Sequence, residues 1–137
     1  MQRTDMKRRF IYTLLLAVSS VCLFGSCEKT PVDADGLLIT QRSQCFMTFF
    51  DALGSDHRTV LVSGSTQIDT TALTVKAVAR FGTNLKRIKP YSSVVTDAIV
   101  EPNMGIWTDF STPQQYTVVS GNRKVRKTYT ITITLQQ

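Results

Sequence analysis

The chain has 137 residues, 42% of them hydrophobic, enough for one domain with a core of its own. Its formal charge is +6, but four basic residues (Arg3, Lys7, Arg8, Arg9) and one acid (Asp5) fall in the first 26 residues, and beyond them 12 Lys and Arg face 9 Asp and Glu, about +3. That mild balance lacks the clustered basic footprint of a nucleic-acid binder, and three cysteines, Cys22, Cys27 and Cys45, form neither a paired disulfide framework nor a Cys-rich zinc spacing.

In chain order, Lys7-Arg8-Arg9 precede an apolar run of 15 residues, Phe10 to Phe24. A basic start and a short apolar run make a secretory signal. The run is short for a transmembrane helix, which needs about 20 residues. It is followed by Leu23-Phe24-Gly25-Ser26-Cys27, and small residues just before a cysteine resemble the lipobox of bacterial lipoproteins. The resemblance implies cleavage before Cys27 and acylation of its thiol and of the new N-terminus. Phe24 stands where that motif usually has leucine. The alternative is an ordinary signal peptide cut nearby, with Cys27 incidental. Several acyl chains together anchor stably. The expected division is a signal peptide over 1–26, a lipidated Cys27 with a tether over 27–36, and one domain over 37–137.

The domain reads as β-structure throughout. Leu37 to Thr40 and Cys45 to Phe50 are apolar runs of strand length, and Asp51 to Arg58 is a turn. Thr59 to Val62 is another strand, ended by Ser63-Gly64-Ser65. Ala72 to Phe81 alternates, with Leu73, Val75, Ala77, Ala79 and Phe81 on one face; a helix is its rival, since Ala, Leu, Lys and Arg are good helix formers. After the turn Gly82-Thr83-Asn84, a β-rich run covers Ser92 to Val100, and Glu101 to Gly105 breaks the chain. The strongest signal closes the domain. Tyr129, Ile131, Ile133 and Leu135 alternate with Thr128, Thr130, Thr132 and Thr134, the pattern of a strand with one buried and one wet face. Tyr116 and Val118 face opposite to Thr117 in the run before it, and Ser120 to Lys124 is the turn between the two. About seven short antiparallel strands in some 100 residues predict a single all-β sandwich.

The segment Phe81 to Leu135 resembles a module of surface lipoproteins in Bacteroidota-type bacteria. The matching residues are Gly82-Thr83-Asn84-Leu85, Ile88-Lys89-Pro90, Ala98, Val100, Pro102, Gly105, Asp109-Phe110-Ser111, Pro113, Tyr116-Thr117-Val118 and Lys127 to Ile133. The resemblance implies an Ig-like or cadherin-like fold and the cell envelope, with some relatives linked to glycan capture. It implies no reaction.

Few residues suggest chemistry. His57, the only histidine, lies in the turn Ser55-Asp56-His57-Arg58 and reads as a solvated loop residue. Asp33 and Asp35 are not followed by further oxygen ligands, so calcium is not expected. There is no phosphate loop and no nucleophile elbow. No catalytic residue, metal or cofactor is expected. Cys45 sits in an apolar run and reads as a small buried side chain. Trp107 and Phe110 fit the core where the chain enters the last hairpin; in the rival reading Trp107, with Tyr91 or Tyr116, stacks on a sugar. Two basic runs, Lys86-Arg87-Ile88-Lys89 and Arg123 to Lys127, suit strand edges that must resist aggregation, which is the favoured account, or an anionic lipid or acidic glycan. The candidate ligand-binding residues are therefore Trp107, Tyr91, Arg123 and Lys124, with Cys27 as the lipidation site. The expected protein is a non-catalytic binding module on the outer membrane, on its periplasmic or cell-surface face. Its partners are the membrane and a glycan, or alternatively a larger envelope complex on which it docks as an adaptor.

Overall fold

The computed structural model describes residues 30–137, of which Pro31–Gln137 form one compact unit. The signal segment and Cys27 lie outside the described residues. Seven strands follow in order: β1 (Met47–Leu53), β2 (Gln67–Asp69), β3 (Thr74–Ala79), β4 (Lys89–Val94), β5 (Ile99–Glu101), β6 (Gln114–Val119) and β7 (Arg126–Leu135). β1 and β4 make a two-stranded sheet; the other five make a second sheet in the order β2-β3-β7-β6-β5. The described chain is all-β, as expected, with an open, sandwich-like arrangement.

One pairing departs from the all-antiparallel expectation. β3 and β7 run parallel, from Thr74↔Thr130 to Ala79↔Leu135. A hairpin forces antiparallel pairing only between strands joined by a tight turn, and the connection between these two is long enough to allow either sense. β7 has ten residues because it serves two neighbours: its first half pairs with β6 and its second half with β3. The alternation read from the sequence holds over Tyr129, Ile131 and Ile133, which are buried, and ends at Leu135, which is exposed. On the wet face the Thr117 and Thr128 hydroxyls meet at 2.9 Å across the β6–β7 ladder.

The core fills the space between the sheets with Met47, Phe50 and Ala52 of β1, Val75, Ala77 and Ala79 of β3, and the inward residues of β6 and β7. The Met47 amide donates to the Tyr129 hydroxyl at 3.3 Å, which ties the small sheet to the large one. Cys45 is buried, and its thiol donates to the Val118 carbonyl at 3.0 Å. Burial pushes that thiol's pKa up, so it is an inert packing group and not a nucleophile.

Three expected elements come out differently. Thr59 to Val62 is no regular strand but laces the sheets together: Val60 N–H donates to Ala52, and Val62 N–H donates to Val78. Among the described residues Leu37 to Thr40 forms only an isolated bridge, Val32↔Leu38, with the Thr40 amide donating to the Gly121 carbonyl. Asp33 organises that turn by accepting from the Asp35 and Leu37 amides, and Gly36 takes the positive φ (78°) that closes it. Part of the expected tether is thus folded onto the domain. β4 begins at Lys89 and not Ser92, since Pro90 is tolerated within it. Ala52, its partner, turns its carbonyl away toward Val60, so the Ala52↔Pro90 pair needs no hydrogen bond from proline.

Candidate functional site

The outward face of the small sheet carries two exposed aromatics, Phe49 and Tyr91, while Phe81, the most exposed ring, follows β3 of the large sheet and does not continue its buried face. Side chains alternate across a strand, so with Phe50 and Ala52 buried, Phe49, Asp51 and Leu53 must face out from β1. On β4 the same rule buries Pro90 and turns Lys89, Tyr91 and Ser93 outward. Phe49 and Tyr91 meet with ring centroids 5.9 Å apart and planes tilted by 47°. They are 47% and 40% exposed, which leaves both rings reachable from solvent. Asp51 fixes the Tyr91 ring: one carboxylate oxygen accepts from the Tyr91 hydroxyl at 3.0 Å, and the other accepts from the Thr59 hydroxyl at 2.6 Å and the Ala52 amide at 2.7 Å. Desolvation, followed by the hydrogen bond to Asp51, pushes the Tyr91 phenol up, so it stays a neutral donor.

Trp107 joins this face through a short ladder. Ile88 and Thr108 exchange two backbone hydrogen bonds, 3.0 and 2.7 Å long. That register sets Trp107 opposite Lys89, with Arg87 one step along the same face. The Lys89 ammonium and the Arg87 guanidinium each lie 4.9 Å from the centre of the indole. The His57 ring sits 5.8 Å away. Trp107 is 37% exposed, so the core placement expected for it is not what the chain adopts. Its neighbours explain this: Phe110 and Ile88 already fill the interior there, and two cations hold the indole at the surface. The Ile88–Thr108 bridge pairs one residue of the run from Lys86 to Lys89, while β4, which Lys89 opens, has β1 as its one strand neighbour.

Two hollows flank the aromatic face. A groove of about 420 Å³ opens between Phe49, Phe50 and Asp51 on one side and Leu61, Ile68 and Arg80 on the other. A smaller one of about 300 Å³ lies between the Gly54–Asp56 turn and Thr83, Asn84 and Arg87. Among the described residues no group of three or more His, Cys, Asp or Glu side chains converges on a metal-sized space.

The structure brings Tyr91 and Trp107 to one face and leaves Arg123 and Lys124 elsewhere. The Gln114 amide donates to the Asp109 carbonyl at 2.6 Å, so Trp107 lies near the start of β6, while Arg123 follows its end. Six strand residues separate the two by about 20 Å. Arg123 also has internal partners. Its guanidinium lies 2.9 Å from Asp33 and donates to the carbonyls of Asp97 and Ser120. With both side chains 17% exposed, this is a clamp that holds the 31–38 segment, not an open ligand contact. Lys124 is exposed. Sequence reasoning missed Phe49, Arg87 and Lys89 as parts of one face. The adjacent pair Phe49-Phe50 did carry a signal, since consecutive strand residues cannot both point inward.

The family model described as "SGBP, N-terminal" matches residues 59–133, more than half of the 137-residue chain. No curated protein matches it. Among solved structures the fold is similar to that of a candidate glycoside hydrolase from Bacteroides thetaiotaomicron, with a TM-score of 0.59 and 22% identity over 69% of this chain and 26% of that one. A candidate secreted protein from Bacteroides fragilis is similar at a TM-score of 0.53 and 17% identity, over 69% of this chain and 97% of that one. A DUF4623 family protein from Bacteroides eggerthii is similar at 0.53 and 12% identity, over 69% and 22%. At such identities the likeness is one of fold, and the chain spans only about a quarter of the first and third of these proteins. The family match covers β2 to β6, most of β7 and the ladder that carries Trp107, and by it this chain belongs to the SGBP N-terminal family.

Proposed function

We propose that this chain is a non-catalytic, glycan-binding module of the bacterial envelope, anchored through a lipid on Cys27. The observation that carries the reading is the exposed Phe49–Tyr91 pair on the outward face of β1 and β4, to which the Ile88–Thr108 bridge joins Trp107. Aromatic rings left in water cost hydrophobic free energy that burial would recover, and exposed apolar groups gathered on one face mark interaction surfaces. Flat rings on a rigid sheet suit the apolar faces of sugar rings, and the Tyr91 hydroxyl and Asp51 carboxylate supply polar contacts beside them. Family membership supports a glycan as the ligand class.

Affinity electrophoresis of the protein in gels containing polysaccharides tests this. Tyr91→Ala should restore free migration in a gel that retards the parent protein, with an unchanged melting temperature. No retardation in any plant, host or microbial polysaccharide would refute the glycan reading. The anchor is tested separately: Cys27→Ala should move the protein from the membrane to the soluble fraction and abolish palmitate labelling. A second reading, an adaptor that docks on a larger envelope complex, is favoured by one fact. Similar folds occupy only 26% and 22% of two longer chains, where this kind of domain is one part among others. Recovery of the chain alone from detergent-solubilised membranes would count against that reading.

A further inference from the structure

We infer that the Trp107 end of this face is a subsite for an acidic substituent, a uronate carboxylate or a sulfate ester, on the bound polysaccharide. The inference rests on the glycan reading and adds the charge of the ligand. Three arginines of the domain have carboxylate partners: Arg42 with Asp97, Arg123 with Asp33, and Arg126 with Glu101. Arg87 and Lys89 have none among the described residues, as is true of other cations such as Arg80, but these two share a feature the others lack: both lie 4.9 Å from the centre of one indole.

Acids on the adjoining segments hydrogen-bond to neutral groups and pair with neither cation among the described residues. Asp51 accepts from Thr59, Ala52 and Tyr91. Asp56 accepts from the Arg58 amide and Asp109 from the Ser111 amide. Two cations are therefore gathered on one indole, each 4.9 Å from its centre and neither in an ion pair among the described residues. The electron-rich ring attracts each of them. An anion arriving there would gain the charge-assisted hydrogen bonds that neither cation makes to a carboxylate of the domain. The Arg87 fork matches a carboxylate or sulfate in two-pronged fashion, and Lys89 adds a point charge.

The ring also restrains two long side chains before binding, which lowers the rotamer entropy lost when a ligand arrives. Trp107 is thus a positioning residue for the cations, while Tyr91 and Phe49 remain the rings open to sugar faces. Arg87 also walls the smaller hollow of about 300 Å³, which gives the ring bearing the acid a place beside the guanidinium. A polysaccharide fits better than a lipid headgroup because the cations continue a row of aromatics. From Lys89 to Tyr91 is one same-face step of about 7 Å, and Phe49 lies diagonally beyond.

Trp107 is the only tryptophan in the chain, so its fluorescence reports on this site alone. The detergent-purified full chain would be titrated with polygalacturonate, with its fully methyl-esterified form, with chondroitin sulfate and with dihexanoyl phosphatidylglycerol. The expected result is a saturable change with one of the two acidic polymers, at least tenfold tighter than with the neutral one and weakened by added salt. Arg87→Ala and Lys89→Ala should each weaken it about fivefold or more at unchanged melting temperature, whereas Lys124→Ala should not. Equal affinity for an acidic polymer and its neutral form would overturn the acidic subsite and leave the glycan reading standing. Binding of the phosphatidylglycerol in preference to every polymer would overturn the inference in favour of a membrane surface. Absence of binding to all four, with neutral polysaccharides still retarding the protein in gels, would also overturn it.

Discussion

Replacing Tyr129 by phenylalanine removes one oxygen from the centre of the molecule. Tyr129 is fully buried, and its hydroxyl accepts the Met47 amide at 3.3 Å, the described side-chain hydrogen bond that joins β1 to β7. Met47 is itself buried, so the freed amide finds no water to replace the phenol. An orphaned buried donor costs about 1–3 kcal/mol, and the length of this bond points to the lower half, about 1–2 kcal/mol. For a domain of about 100 residues that lowers the melting temperature by about 4–8 °C. Thermal unfolding followed by circular dichroism reads this directly.

A second arm uses pH. Burial raises the Tyr129 phenol above its ordinary value of 10.0. The folded state then holds its proton after the unfolded chain has released it, so stability falls as pH rises above about 10. Tyr129→Phe lacks that loss, and the gap between parent and variant should narrow between pH 9 and 11. Tyr91 is present in both proteins and cancels from the comparison. A melting temperature unchanged within 1 °C, or a gap that stays constant with pH, would refute the reasoning.

Other outcomes follow from the same packing. In Gly121→Ala the new methyl would lie 2.4 Å from the Thr40 hydroxyl and 2.9 Å from the Asp97 β-carbon, so overpacking should cost about 1–3 kcal/mol in urea unfolding. Arg123→Ala should release the 31–38 segment, seen as faster cleavage there in limited proteolysis, while the turn itself persists because Asp33 keeps its amide partners. The carboxyls of Asp33, Asp69 and Asp109 are held below their ordinary 3.8, the first two chiefly by backbone amides and the third by Ser111. Depressed values stabilise the fold above that pH and lose their effect as pH falls, so the melting temperature should drop below about pH 4, and less steeply in Asp69→Asn.

What the sequence revealed depended on how far each segment's pattern repeats. β7 was legible because the Tyr129-Ile131-Ile133 alternation runs long enough to exclude a helix, and β3 because Val75, Ala77 and Ala79 share a face. β2 was not, because Gln67-Ile68-Asp69 has one apolar residue and no period to read. The parallel pairing of β3 with β7 was hidden too, since alternation tells which face is buried and not which strand lies alongside. Tyr91 and Trp107 were singled out as rings without an assigned place. Their common face depends on the Ile88–Thr108 bridge, a contact between segments 20 residues apart in the chain that composition cannot show.

The distribution of charge argues that the two ends of the domain do different work. At the turn after β6, Arg42, Arg123 and Arg126 each meet a carboxylate from another segment, so the basic turn that looked available for a partner holds the N-terminal segment and the Asp97 loop in place. At the other end, Arg87 and Lys89 have no carboxylate partner among the described residues and lie against an indole. Lys89 opens β4, whose one strand neighbour is β1, so its charge also blunts that edge. Edge protection accounts for a lysine there, but it does not account for Arg87 and Lys89 both lying against one indole beside exposed rings, and an acidic ligand arriving from solution accounts for that gathering.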